Sequence, residues 1–257
     1  MSETVIQVTS LGKRIKGKTI LEDISFEINK GDCVALIGPN GAGKTVLMSC
    51  ILGDKKPSNG QVLIDGKAGK AKNKIAVLLQ ENTIPNSLKV EELIAFFQSI
   101  SDNPLTNQEV QELLQFKEDQ YQQFADKLSG GQRRLLAFVL CLIDKPKILF
   151  LDEPTAGMDT STRQRFWEIV NDLKKAGTTI LYSSHYIEEV EHTADRILVL
   201  HQGKLIRDTT PYAMRHEEKE KQVTLPSSFV SIVHGLPDIY EITEKLSLIH
   251  ISEPTRQ

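Results

Sequence analysis

A glycine-rich stretch early in the chain has the residue types and spacing of a phosphate-binding loop, G-x-x-x-x-G-K-[ST]. Glycines let the backbone fold tightly, so that its N–H groups and the N-terminus of the next helix point at anionic oxygens. In this pattern Lys44 would reach the β- and γ-phosphates of a nucleotide, and the Thr45 hydroxyl would bind Mg²⁺. The alternative is a glycine-rich turn without a ligand, but this stretch also follows a buried strand and precedes a helix. The predicted nucleotide site comprises Gly38, Pro39, Asn40, Gly41, Ala42, Gly43, Lys44, Thr45 and Val46.

Two adjacent carboxylates, Asp152 and Glu153, close an apolar strand later in the chain. In enzymes that cleave a nucleotide held by such a loop, the first carboxylate holds Mg²⁺, usually through water. The second is placed to accept a proton from the attacking water. Acidic residues are common in the turns that follow strands. This pair therefore indicates a catalytic site mainly because it comes after a phosphate-binding loop in the same chain.

A second anion-binding segment is predicted at residues 128–132, Leu-Ser-Gly-Gly-Gln. Ser129 and Gln132 form a capping box, while Gly130 and Gly131 expose backbone N–H groups at a helix start. One chain cannot readily wrap both anion sites around one nucleotide, whereas two chains packed head to tail across a two-fold interface can. The alternative is an ordinary capped helix, since capping boxes are common.

The elements that must position these residues alternate between strands and helices. The run Cys33 to Ile37 is apolar throughout, which is typical of a strand buried on both faces of a parallel sheet. A polar turn containing Gly12 and Gly17 is predicted between the first two strands, and Pro57 to Gly60 is predicted as a turn. Further strands are predicted at 5–8, 20–28, 62–64, 75–79, 148–151, 178–183, 197–200 and 204–207, and helices at 44–52 and 187–193.

The stretch from about 85 to 144 has helical periodicity instead. Leu93, Phe96 and Phe97 recur at helical spacing, and residues 106–109 form a capping box ahead of another apolar stripe. This stretch is predicted to be a helical lobe inserted into the α/β core. After Pro211 the periodicity fades, and the charge run 217–221 is predicted to be a solvated helix. No internal repeat is present, which predicts a single nucleotide domain.

The order of these motifs resembles that in the nucleotide-binding domains of ABC transporters. Gln80 lies between the phosphate-binding loop and the 128–132 segment, and His185 follows the Asp152–Glu153 pair. The resemblance extends over residues from about 4 to 211. It implies that Gln80 contacts Mg²⁺ and the attacking water, and that Asp159 crosses the dimer interface. It also implies that His185 touches the γ-phosphate. The implied catalytic set is Glu153, His185, Gln80 and Lys44; the implied metal ligands are Thr45, Gln80 and Asp152; and the implied nucleotide contacts from the second subunit are Ser129, Gly130, Gly131, Gln132 and Asp159.

One position departs from the family pattern. The family commonly has an aromatic residue in the early hairpin that stacks on adenine, and the residue that lines up here is Ile15. A branched aliphatic side chain can cover one face of the base but cannot stack on it. The sequence therefore predicts weak discrimination between bases.

The resemblance implies an α/β P-loop NTPase fold. It has a mostly parallel core sheet, an N-terminal antiparallel β subdomain and an inserted α-helical subdomain. The ABC ATPase domain is predicted at 1–222 and a partial C-terminal extension at 223–245. Residues 246–257 are predicted to be a non-native tail, because 246–256 can be back-translated to a sequence that resembles the adaptor end of a transposase-based sequencing library. The alternative is a native polar tail.

The implied function is to bind ATP with Mg²⁺ and hydrolyse it, powering transport through a separately encoded membrane permease. The ATPase subunits would act as a homodimer or a pseudo-symmetric heterodimer. The stretches 155–159 and 184–189 resemble the stand-alone ATPase subunits of drug, lantibiotic or lipid exporters. The sequence has no apolar run long enough to span a bilayer and no signal-peptide pattern, which predicts a cytoplasmic location. The chain would then be attached to the inner face of the membrane by the permease.

Two other functions compete with transport. A soluble ABC ATPase acting on nucleic acid or ribosomes usually carries two cassettes or a long coiled-coil insert, and neither is present. A net charge of −3 also argues against a nucleic-acid partner. A regulatory module without turnover is disfavoured by the intact Glu153 and His185. The three cysteines are predicted to be buried, reduced thiols.

Overall fold

The described strands form three sheets of four, six and three strands. The computed structural model describes residues 3–68, 75–80, 84–85, 87–216, 221–226, 242–245 and 248–253. The strands are β1 (Thr4–Ile15), β2 (Lys18–Asn29), β3 (Cys33–Ile37), β4 (Asn59–Ile64), β5 (Lys67–Ala68), β6 (Ile75–Leu78), β7 (Ile148–Leu151), β8 (Thr179–Ser184), β9 (Arg196–His201), β10 (Lys204–Thr209), β11 (Lys221–Pro226), β12 (Ile242–Lys245) and β13 (Leu248–Glu253). The helices are α1 (Lys44–Ile51), α2 (Val90–Ser99), α3 (Asn107–Leu114), α4 (Glu118–Tyr121), α5 (Gly130–Leu142), α6 (Thr160–Lys175), α7 (Ile187–Thr193) and α8 (Pro211–His216), with a 3₁₀ turn at Ala125–Lys127.

The six-stranded sheet has the order β10-β9-β3-β8-β7-β6 and is parallel except for β10. Every residue of β3, β7 and β8 is buried. The continuous apolar runs of β3 and β7 predict this burial. Parallel strands end at the same edge of a sheet. The residues that follow β3, β6, β7 and β8 therefore lie along one edge, where open α/β sheets bind ligands.

The four-stranded sheet, β2-β1-β4-β5, is antiparallel and forms the predicted N-terminal β subdomain. The predicted turn at Gly12 is wrong, because β1 continues through this residue to Ile15 and turns only at Lys16 and Gly17. A Cβ on Gly12 would lie 2.1 Å from the Asn59 side-chain oxygen, so a larger residue there would have to displace that exposed side chain. The predicted turn at 57–60 is likewise half wrong, since β4 begins at Asn59.

Helices α2 to α5 lie between β6 and β7 in the chain, where the sequence predicts an inserted helical lobe. The predicted capping box at the start of α3 is confirmed. The Thr106 hydroxyl accepts from the Glu109 N–H, and the Glu109 carboxylate accepts from the Thr106 N–H. An α/β fold with an inserted helical subdomain is therefore present.

Residues 212–257 form a second compact unit. Its described strands make a three-stranded antiparallel sheet in the order β11-β13-β12. The helix predicted for 217–221 lies mostly outside the described residues, and Lys221 itself begins β11. Residues 248–253 pair along their length with β11, and the non-native origin predicted for 246–257 stays a prediction.

The three cysteines are free, as predicted; Cys33 and Cys50 are buried and Cys141 is half-buried. Burial raises the pKa of the Cys33 thiol to about 12 and that of Cys141 to about 11. Over the stretches that the structure describes, we find no helix with the length and apolar character needed to cross a membrane.

Candidate active site

The phosphate-binding loop connects β3 to α1, and close packing fixes its shape. A Cβ on Gly38 would lie 2.1 Å from the Leu200 carbonyl oxygen, so only glycine fits at this position. Gly43 has φ 107° and caps α1 without a side chain, and a Cβ there would lie 2.8 Å from the Leu21 side chain. The Gly203 N–H donates to the Ala42 carbonyl at 3.0 Å. The loop is therefore held against β2 and the β9–β10 turn.

Lys44 begins α1 and is only 6 % exposed. Its ammonium group donates to the Gly38 carbonyl at 2.7 Å and to the Pro39 carbonyl at 3.4 Å. The same nitrogen lies 3.9 Å from Glu153 Oε1. Thr45 is exposed beside it in the first turn of α1. The cation therefore sits between the loop and the carboxylate, where a bound phosphate would meet it.

Glu153 is the centre of a cluster that contains all four residues predicted to be catalytic. Besides Lys44, the Gln80 side-chain amide donates to Glu153 Oε2 at 3.3 Å, and His185 Nδ1 lies 3.7 Å from Oε1. The Glu153 side chain is 14 % exposed, so it is shielded from bulk water but can still meet a ligand. The four residues follow β3, β6, β7 and β8, and the shared edge of the sheet brings them together.

The backbone at Glu153 adopts a left-handed conformation, with φ 43°. This conformation is unfavourable for a residue with a side chain, so surrounding contacts must hold it. The Glu153 N–H donates to the Ser183 hydroxyl at 2.8 Å, and that hydroxyl donates to Asp152 Oδ1 at 2.6 Å. Ser183 was not predicted from the sequence, although a serine directly after the apolar residues of β8 is itself a signal of a buried polar role.

Arg134, which is buried in α5, was not predicted from the sequence either. Its guanidinium donates to main-chain carbonyls on the loops that carry Gln80 and Glu153. The signal in the sequence is weak, because an arginine near a helix start more often faces solvent.

The 128–132 segment starts α5 as predicted. The Gln132 N–H donates to the Ser129 hydroxyl at 3.2 Å, and the Ser129 N–H donates to the Gln132 side-chain oxygen at 3.2 Å. Ser129 and Gly130 are exposed, so this helix N-terminus is open to an anion. The capping box is confirmed; contact with a nucleotide on a second subunit stays a prediction.

Asp159 lies beside this helix start, since a Cβ on Gly131 would be 3.0 Å from its carboxylate. The carboxylate caps α6 by accepting from the Ser161 hydroxyl and from the Thr162 N–H and hydroxyl. These hydrogen bonds hold the pKa of Asp159 well below its usual value. Asp159 and the 128–132 segment therefore form a second exposed cluster with neighbours different from those of the phosphate-binding loop.

Ile15 ends β1 opposite Lys18 and is 37 % exposed. Leu21 of the same hairpin packs on Gly43, so the hairpin adjoins the phosphate-binding loop. Ile15 is thus exposed on the hairpin beside the loop, and its contact with a base stays a prediction. Val46 is half-buried and packs against the core cluster, and its predicted contact with the nucleotide stays a prediction.

The residues fit a magnesium nucleotide. Mg²⁺ is usually bound through one or two carboxylates and the phosphates of its substrate, which requires no all-protein cage. Among the described residues there is no group of three or more His, Cys, Asp and Glu side chains that could hold a metal. Asp152, with Thr45 and Gln80, offers the oxygen ligands that Mg²⁺ prefers.

Comparisons with known proteins agree with this geometry. The ABC transporter family model matches residues 21–156. The chain is 32 % identical to the Nod factor export ATP-binding protein I of Sinorhizobium fredii, over 98 % of this chain and 78 % of that protein. It is 30 % identical to the probable multidrug ABC transporter ATP-binding protein YbhF of Escherichia coli, over 90 % of this chain but 42 % of the relative.

A solved structure described as the ATP-binding subunit of an ABC transporter superposes with a TM-score of 0.72. The two chains are 26 % identical, and the superposition covers 82 % of this chain and 92 % of the solved chain. The family model, the relatives and the fold therefore indicate the same family as the clustering of the motif residues around Glu153. The chain belongs to the ABC transporter family, and it is an ATP-binding subunit with ATPase activity.

Proposed function

We propose that this chain is the ATPase motor of an exporter, driving an unidentified substrate through a separately encoded permease. The observation that carries the hydrolytic part is the placement of Lys44, Gln80 and His185 around the Glu153 carboxylate. Two relatives bear names that refer to Nod factor export and multidrug transport, which supports export as the direction.

In this proposal Glu153 accepts the proton of the water that attacks the γ-phosphate. Gln80 and His185, each close to a Glu153 oxygen, orient that water and the γ-phosphate. Lys44 counters the charge on the transferring group, and such positioned charge is the main contribution to phosphoryl transfer. Bound Mg²⁺, held by Thr45, Asp152 and Gln80, would neutralise the phosphate oxygens.

The proposal includes a head-to-tail dimer, either a homodimer or a pseudo-symmetric heterodimer. Its support is the exposure of Ser129 and Gly130 at the start of α5, in a cluster whose neighbours differ from those of the phosphate-binding loop of the same chain. In the dimer the 128–132 segment of one subunit would contact the γ-phosphate held by the other. ATP would then join the two subunits, and hydrolysis would separate them.

The permease is proposed to contact the helical lobe. Phe96 and Ile100 lie four residues apart at the exposed face of α2 and its C-terminus, and they are 54 % and 65 % exposed. Leu79, next to Gln80, is 50 % exposed. Contiguous exposed apolar side chains mark interaction sites, and Leu79 directly precedes a residue of the hydrolytic cluster. The chain would thus sit on the cytoplasmic face of the membrane through the permease.

The decisive experiment measures ATP hydrolysis by the chain alone, with its co-encoded permease in vesicles, and with ribosomes or RNA. We expect several-fold stimulation by the permease and none by ribosomes or RNA. Phe96→Ser should abolish the stimulation and leave the rate of the chain alone unchanged. Stimulation by ribosomes or RNA instead would favour the soluble ABC ATPase and refute transport.

A further inference from the structure

Arg134 is a buried guanidinium with all five N–H donors engaged. It lies in the second turn of α5 and is 9 % exposed. Nε donates to the Pro154 carbonyl at 3.0 Å, and Nη2 donates to the carbonyls of Asp152 at 3.0 Å and Glu153 at 3.3 Å. Nη1 donates to the carbonyls of Leu79 and Gln80. Five donors thus meet five carbonyls, which is the full capacity of an arginine side chain.

The acceptors belong to two loops that the sheet alone does not hold together. β6 and β7 are paired up to Leu78 and Leu151, and the Asp152 N–H still donates to the Leu78 carbonyl at 2.8 Å. Beyond that point Leu79 and Gln80 leave in one loop, and Glu153 and Pro154 leave in the other. Arg134 bridges the two loops. It therefore fixes the backbone from which Gln80 and Glu153 project.

Burial lowers the pKa of the Arg134 guanidinium, and the charge of Asp152 opposes this shift. Arginine nevertheless stays charged in proteins, because its ordinary pKa is so high. A charged group is costly to bury unless its hydrogen bonds are satisfied, and here carbonyl dipoles satisfy all of them. Arg134 therefore holds the two loops in one geometry, because any other geometry would leave buried N–H donors of its guanidinium unpaired.

Arg134 follows Ser129 by little more than one helical turn in the same rigid helix. Hydrogen bonds of about 3 Å are lost within roughly 0.5–1 Å of displacement. A shift of the first turn of α5 must therefore carry the two loops with it or break the five bonds. The start of α5 and the Glu153 cluster are thus mechanically joined within one subunit.

We propose that Arg134 is a positioning residue for hydrolysis, transmitting engagement of the 128–132 segment to Gln80 and Glu153 of the same subunit. This inference rests on the proposed head-to-tail dimer. It explains how a nucleotide held in the partner's loop affects the catalytic residues of the subunit that contacts it. The two sites of the dimer would then act in a coupled way.

The test is Arg134→Met in the full chain, compared with Arg165→Met. Arg165 is the control, since it too is a largely shielded guanidinium that donates to two carbonyls, those of Glu112 and Leu113. It also pairs with Glu168, and none of these partners belongs to the Glu153 cluster. Nucleotide affinity, ATPase rate and melting temperature are measured for each. We expect Arg134→Met to bind ATP within about threefold of wild type and to lose roughly 10- to 100-fold in kcat, within the range for a mispositioned catalytic group. Arg165→Met should keep kcat within about twofold at a similar loss of melting temperature.

A double-mutant cycle makes the inference falsifiable even if Arg134→Met is unstable. Arg134→Lys keeps the charge but has three donors, so it should retain part of the activity. The losses caused by Ser129→Ala and Arg134→Lys should be clearly less than multiplicative, because both act on one pathway. Multiplicative losses, or equal kcat losses for Arg134→Met and Arg165→Met, would overturn the inference. An inactive wild-type chain would instead refute the proposed function.

Discussion

The hydroxyl of Ser183 donates a hydrogen bond to the carboxylate of Asp152 at 2.6 Å, and it simultaneously accepts one from the Glu153 N–H at 2.8 Å. One fully buried hydroxyl on β8 thus orients the predicted metal ligand and supports the strained backbone of the predicted base. These two roles cannot be separated by a change at Ser183.

Ser183→Ala should lower kcat roughly tenfold, because it removes a hydrogen bond and leaves a buried N–H unpaired, a cost of about 1–3 kcal/mol. The apparent affinity for Mg²⁺ should fall as well. Steady-state ATPase assays over a magnesium titration measure both. The matched control is Thr179→Val at the other end of β8, where the hydroxyl accepts from the Gly31 N–H at 2.9 Å. If both variants lose activity equally, Ser183 has only a structural role.

Glu153→Gln should preserve ATP binding and reduce hydrolysis by roughly 100-fold or more, the range for loss of a positioned base. The amide keeps the size of the side chain but cannot accept the proton. Equilibrium binding and single-turnover hydrolysis distinguish the two effects. Near wild-type turnover would remove Glu153 from the role of base.

Dimer formation should depend on ATP and on the start of α5. On size-exclusion chromatography, Glu153→Gln should migrate as a dimer in Mg-ATP and as a monomer without nucleotide. Adding Gly130→Asp should keep it monomeric, because the carboxylate would repel the partner's phosphates. A Cβ at Gly130 has nothing within 4 Å, so this substitution fits the monomer. Monomers of Glu153→Gln at high concentration in Mg-ATP would contradict the dimer.

Ile15→Tyr should tighten ATP binding several-fold and widen the difference between ATP and GTP. A stacked ring adds only about 0.5–1.5 kcal/mol beyond its buried area, so the gain stays below roughly tenfold. The Ile15 site is exposed enough to accept the larger side chain. Fluorescence titration with both nucleotides measures the change. Unchanged or weaker ATP binding would mean that another group already holds the base.

Deletion of residues 246–257 should leave the ATPase rate unchanged, because the Glu153 cluster is built from residues before 212. If this tail is adaptor-derived, the melting temperature should not change either. The deletion removes β13, which pairs with both β11 and β12, so a tail that is native would lose these strand pairings. A loss of several degrees would show that the tail contributes native packing.

The sequence predicts the sites of this molecule better than it predicts the contacts that hold them. Gln80 and His185 are recognisable through the resemblance to the ABC family, and Glu153 through its place after Asp152. Each follows a strand of one parallel sheet, so chain order and strand direction bring them together. Ser183 and Arg134 are not recognisable in this way. Their partners lie on other elements, and the direction of a buried side chain depends on tertiary packing. The turn predicted at Gly12 is wrong for a related reason, since this glycine lies within β1 beside the Asn59 side chain.

At Glu153 the left-handed backbone conformation lowers the stability of the fold, while the side chain at the same position is needed for activity. A residue with a Cβ in this conformation costs roughly 1–2 kcal/mol relative to one without it. Glycine at 153 would therefore relieve the strain and remove the carboxylate together. A search for thermally robust variants that scores folding alone would favour a stable, inert protein, so selection on this chain must include turnover.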